Sequence, residues 1–112
     1  MTNASTPVEP VEVRAPRGAE TTEIHWSDGT VTVLSNELMR GYCPCAGCQG
    51  HSSTIAYRHG GNPEIDAISE VGNYALCFRW GDGHDSGIYT WDYLRRLGQH
   101  AEQSGRDGVM RR

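Results

Sequence analysis

The sequence predicts an α+β domain, a small antiparallel sheet of β-hairpins with two short helices and a cysteine-rich metal loop. Two observations carry this expectation. The segment Ile24-His25-Trp26-Ser27-Asp28-Gly29-Thr30 is answered later by Phe78-Arg79-Trp80-Gly81-Asp82-Gly83-His84. In each copy spaced apolar residues lead into a Trp-x-Asp-Gly turn, and Asp-Gly tolerates the positive φ that a tight hairpin demands. Each hairpin then runs into a segment headed by a hydroxyl residue, Ser35 in the first and Thr90 in the second, which can take an orphan N–H of a helix's first turn.

Taken in order, residues 1–21 read as a disordered tail, because Pro7, Pro10 and Pro16 stand in it with no apolar periodicity around them. The first hairpin returns through Val31, Val33 and Leu34 to a helix over Asn36-Glu37-Leu38-Met39-Arg40. Glu37 complements the positive end of its dipole. After the cysteine loop and a Gly/Asn loop containing Pro63, Ile65 to Val71 and Tyr74 to Phe78 predict a further hairpin through a two-residue Gly72-Asn73 turn. The second Trp-x-Asp-Gly unit returns through Ile88 and Tyr89 to a helix from Trp91 to Leu97, with Asp92 in the position of Glu37. From Gly98 the chain fades into polar residues and glycine, so 98–112 read as a flexible tail and 22–97 as the ordered domain. Trp26, Trp80 and Trp91 are expected to build its core.

The bulk properties exclude several classes. The net charge is −4 and all ten basic residues are arginine, which leaves no broad basic field for nucleic-acid backbones. No apolar run approaches the length of a membrane span, and no apolar signal segment opens the chain. The cytoplasm is the expected compartment, with the cysteines reduced rather than paired. A domain this small buries only about 60% of the surface that its unfolded chain exposes, so a metal staple would contribute much to folding.

Cys43-Pro44-Cys45-Ala46-Gly47-Cys48 concentrates three thiols within six residues. Three thiolates so close repel one another, and Zn²⁺ or iron turns that repulsion into ligation. The candidates for a fourth donor are Cys77, His51 and His84. Strand alternation turns Cys77 away from a core face made by Tyr74, Leu76, Phe78 and Trp80. His51 would tie the loop only to itself. Aligning the two turns sets His84 opposite Thr30, so a His84 ligand staples the loop to a distant hairpin, with Asp82 or Asp85 holding the imidazole tautomer.

The ordered string Trp26-x-Asp28-Gly29, Leu38-x-Arg40-x2-Cys43-Pro44-Cys45-Ala46-x-Cys48, Val71-Gly72-x-Tyr74-Ala75-Leu76 and Trp80-x-Asp82-Gly83-His84-x2-Gly87-Ile88-Tyr89-x-Trp91-x2-Leu94-Arg95 resembles the domain at the N-terminus of gamma-butyrobetaine hydroxylase. The resemblance implies a zinc ion held by Cys43, Cys45, Cys48 and His84. It also implies a small stand-alone bacterial member, and the same module occurs attached to P-loop iron–sulfur carrier proteins. Three functions follow: a non-catalytic zinc module that engages a protein partner, an accessory to iron–sulfur cluster assembly or carriage, or an accessory to a 2-oxoglutarate-dependent oxygenase. None makes the chain itself an enzyme. Oxygenase iron needs two histidines and a carboxylate, and the only His-x-acid pair is His100-Ala101-Glu102, with no histidine after it. Cys45-Ala46-Gly47-Cys48 lacks the βαβ context of a thioredoxin-like site.

Overall fold

Both Trp-x-Asp-Gly segments fold as hairpin turns, and they do so identically. The Trp26 N–H donates to the Thr30 carbonyl at 2.9 Å, and the Trp80 N–H donates to the His84 carbonyl at 2.9 Å. Asp28 Oδ1 accepts the Thr30 N–H and Asp82 Oδ1 accepts the His84 N–H, each at 3.0 Å. Gly29 and Gly83 hold φ of 86° and 85°, a region where a β-carbon is strained.

The computed structural model describes residues 8–111. Its elements run β1 (Pro10–Arg14), β2 (Thr21–Trp26), β3 (Val31–Ser35), α1 (Asn36–Gly41), α2 (Ala46–Gln49), β4 (Thr54–Ala56), β5 (Ile65–Val71), β6 (Ala75–Trp80), β7 (Ile88–Thr90), α3 (Trp91–Ser104) and β8 (Val109–Arg111). The α+β class holds, but the expected single sheet is two three-stranded antiparallel sheets, β1-β2-β3 and β5-β6-β7, with a separate β4-β8 ribbon. Both caps form as the sequence requires: Ser35 Oγ accepts the Leu38 N–H at 2.9 Å, and Thr90 Oγ1 accepts the Tyr93 N–H at 3.0 Å. Each such cap stabilises by about 1 kcal/mol.

The repeat is longer than the sequence suggests. β1 pairs with β2 from Pro10↔Trp26 to Glu12↔His25 across a bulge, and β5 pairs with β6 from Ile65↔Trp80 to Ala67↔Arg79 across a bulge at the same place. Just outside, the Ser27 N–H meets the Glu9 carbonyl at 2.8 Å, as the Gly81 N–H meets the Glu64 carbonyl at 2.7 Å. The unit that occurs twice is thus strand, strand, strand, helix.

Both expected tails differ from the structure. Of residues 1–21, positions 1–7 lie outside the described residues, while Pro10–Arg14 form β1. Pro10 opens a strand at the edge of its sheet, where a missing N–H disrupts no ladder. Of 98–112, α3 continues to Ser104 and β8 pairs with β4. Gly98 reads as a stop, yet it is buried inside α3 where a β-carbon would come within 2.5 Å of Thr32 Cγ2, so it marks a close approach. The Gly72-Asn73 turn is also one residue longer, since Val71 pairs with Ala75. Tyr74 consequently lies in the loop, exposed.

One core joins both sheets and helices. Ile24 and Leu34 meet Phe78, Trp80 and Tyr89, with Met39 of α1 and Leu94 and Leu97 of α3, all fully buried. Each such side chain stabilises by about 1.5–3 kcal/mol. Trp26 and Trp80 are in this core, whereas Trp91 is half-buried at its edge. No helix among the described residues is long and apolar enough to cross a membrane.

Candidate metal centre

The end of α1 and the start of α2 set the cysteine geometry. Tyr42 closes α1, and the Cys43 N–H turns back to the Arg40 carbonyl at 3.3 Å. Cys45 is the N-cap of α2, so Cys48 follows one turn later and its N–H returns to the Cys45 carbonyl at 3.2 Å. This i, i+3 relation puts both thiols on one side of the short helix. Buried Gln49 locks the loop in place: its amide donates to the Cys43 and Ala56 carbonyls at 3.1 and 2.9 Å and accepts the Ala56 N–H at 3.0 Å.

His84 enters from the other repeat. Its Nε2 lies 3.4 Å from each of Cys43 Sγ, Cys45 Sγ and Cys48 Sγ. All four donor atoms lie within 4.8 Å of one another, a group that can hold a metal ion. A tetrahedral Zn²⁺ with bonds of about 2.3 Å to sulfur and 2.0 Å to nitrogen sets the nitrogen about 3.5 Å from each sulfur and the sulfurs about 3.8 Å from one another. The three separations from His84 Nε2 match that nitrogen–sulfur spacing, so the residues present suit a single metal ion.

Cys77 and His51 are not in this group. The Cys77 thiol donates to the Asp85 carbonyl at 3.0 Å, and its neighbours Leu76, Phe78 and Trp80 face the core, in keeping with strand alternation. Asp82 differs from expectation, since its carboxylate receives the backbone N–H of His84 rather than the ring.

Electrostatics divide the thiols. Burial pushes Cys43 up to about 12, because its charged form is poorly solvated there. At Cys45 burial acts the same way, but hydrogen bonds from the Cys48 N–H and thiol, from Cys43 and from the Gly47 N–H outweigh it and lower the pKa. A metal must therefore displace the Cys43 proton. Arg40 supplies what the sequence did not suggest, with Nη1 3.7 Å from Cys48 Sγ and Nη2 3.1 Å from Asp82 Oδ2. The available signal is an arginine five residues after each helix cap, Arg40 after Ser35 and Arg95 after Thr90. Gly61 makes room for this cation, since a β-carbon there would lie 2.8 Å from the Arg40 guanidinium.

A family profile described as "Gamma-butyrobetaine hydroxylase-like, N-terminal" matches residues 13–95. No curated protein matches the chain. Among solved structures, the chain is similar to a protein of unknown function from Acidithiobacillus ferrooxidans assigned to the DUF971 family, at 34% identity and a TM-score of 0.62, over 80% of this chain and 92% of that one. Two solution structures also match, one at 32% identity and a TM-score of 0.66 over 89% of this chain and 76% of its own, the other at 28% and 0.64 over 85% and 76%. A profile match that covers most of both repeats and the whole cysteine loop, together with small relatives of the same fold, means that this chain belongs to the gamma-butyrobetaine hydroxylase-like N-terminal family.

Proposed function

We propose that the chain is a non-catalytic structural zinc module in which Cys43, Cys45, Cys48 and His84 ligate one Zn²⁺, and that it works by engaging a protein partner. The observation that supports this best is the equal 3.4 Å separation of His84 Nε2 from all three sulfurs. Four protein donors converging on one point fill a tetrahedral ion and leave no position for water, which is the character of a structural site. Such an ion ties the loop after α1 to the turn before β7, two segments far apart in sequence.

An iron–sulfur accessory role is the competing reading. A cluster spreads its ligands over several irons, whereas these four donors lie within 4.8 Å of one another, which favours a mononuclear ion. Three thiolates with one Zn²⁺ and a neutral imidazole carry one net negative charge, and the Arg40 guanidinium beside Cys48 offsets it. A role beside a 2-oxoglutarate oxygenase has no support beyond the family's name. Four free cysteines suit a reducing cytoplasm.

Native mass spectrometry with elemental analysis and a visible spectrum tests the reading. One zinc per chain and a colourless protein are expected. Visible absorption with stoichiometric iron and sulfide, or a reduced protein without metal, would refute it.

A further inference from the structure

Each three-stranded sheet has two edge strands, β1 and β3 in the first and β5 and β7 in the second, and one edge from each, β1 and β5, borders a common space. A groove of about 600 Å³ lies between them. Its walls are runs of consecutive residues, Pro10 through Val13 on one side and Ile68 through Glu70 on the other, and Leu76 and Trp91 also line it. Side chains alternate between the faces of a strand, so a wall of consecutive residues presents the strand's edge. Unpaired backbone groups of both strands thus border the same space. Open edges of this kind are normally covered or paired, and here apolar Val11 and Ile68 stay 69% and 37% exposed beside them.

We propose that this groove takes an extended segment of a partner protein, which inserts as a strand between β1 and β5 and joins the two sheets into one. Main-chain hydrogen bonds would supply affinity and alternate side chains specificity. The wanted chemistry can be read from the lining. Apolar residues at every second position face Ile68, Leu76 and Trp91, and a basic residue meets Glu70. Glu12 is already held by Arg14 at 2.8 Å, which leaves Glu70 as the charge to be matched. A second copy fits poorly, because β5 paired antiparallel with itself about Ile68 sets Asp66 against Glu70 twice, and like charges opposite each other destabilise.

The inference rests on reading the domain as an interaction module, and zinc content measured on the same samples separates failure of this surface from failure of the metal assignment. The probe is a fluorescein-labelled synthetic peptide of alternating valine and threonine with a lysine at each end, titrated by anisotropy and by amide NMR. Saturable binding is expected, with shifts and new exchange protection confined to residues 10–14 and 65–71. N-methylation of alternate peptide amides should abolish it, and Glu70→Arg should weaken it about tenfold or more while favouring a glutamate-ended peptide. Absence of saturable binding, indifference to N-methylation, shifts along β3 or β7 instead, or self-association through β5 that excludes the peptide would each overturn the proposal.

Discussion

Arg40 and Arg95 occupy the same position in the two repeats, and each reaches across to the turn of the other. Arg40 Nη2 donates to Asp82 at 3.1 Å, and Arg95 Nη2 donates to Asp28 at 2.7 Å. The repeats are therefore interlocked. The symmetry is broken where chemistry is needed, since Cys43 packs where a β-carbon on Gly87 would lie 2.6 Å from its sulfur, while the equivalent pair is inverted, with Gly98 against Thr32. One turn carries His84 and the other Thr30, so a single donor cluster arises from two copies of one unit.

Arg40→Ala should weaken zinc retention by about 10- to 100-fold in chelator competition, as loss of a residue supporting metal ligands commonly does. Asp82→Asn should cost less, because the amide keeps an acceptor oxygen for the backbone N–H groups that the carboxylate receives and leaves the contact of Arg40 with Cys48 in place. Equal losses from the two changes would mean that the contact with Cys48 contributes nothing.

Gly87→Ala should lower both zinc affinity and unfolding temperature, because the new methyl group lands 2.6 Å from Cys43 Sγ. Gly47→Ala is the control. Its β-carbon would sit 3.7 Å from Cys45 Sγ, an ordinary contact, and a helical Gly→Ala exchange stabilises by about 0.5–1 kcal/mol. Metal content after chelator challenge, read alongside thermal unfolding, distinguishes the two.

His84→Ala should open one coordination position and release zinc readily, whereas Cys77→Ser and His51→Ala should keep near one metal per chain. X-ray absorption gives an independent count, with three sulfurs at about 2.3 Å and one nitrogen at about 2.0 Å expected. A fit to four sulfurs would select Cys77 and defeat the assignment.

Asp28 should report on acid stability. The Thr30 hydroxyl foremost, then Arg95 and the Thr30 N–H, hold its carboxyl far below the usual carboxylate range. A depressed folded pKa contributes stability that is present above the unfolded value of about 3.9 and is lost as pH falls through the folded value. The stability gap between the parent and Asp28→Asn should thus be fully developed above about pH 5 and shrink below about pH 4. A carboxyl-carbon NMR titration of Asp28 with an ordinary midpoint would contradict this.

Ending the chain after Leu97 should destabilise it by at least about 2 kcal/mol. The lost segment holds Met110, which is 6% exposed, and His100, whose Nε2 lies 3.0 Å from the Tyr42 hydroxyl at the end of α1. Denaturant unfolding of the two lengths measures the difference, and coincident curves would restore 98–112 to the status of a tail.

The sequence by itself determined what is decided within a few residues. The Asp-Gly turns, the Ser35 and Thr90 caps and the cysteine spacing follow from local backbone chemistry, and the repeat of the turn marked His84 as a candidate donor, which the structure brings to the three sulfurs. Tertiary structure decided whatever depends on a distant partner. β1 and β8 are short, with one residue or none of their own deeply buried, and become strands only because β2 and β4 offer open edges to pair with. Gly98 and Gly87 could not be told from breakers or linkers, since the space a glycine keeps open is defined by Thr32 and Cys43 packed against it. Arg40 could not be told from a solvated arginine until Cys48 and Asp82, 8 and 42 residues away along the chain, were folded around its guanidinium.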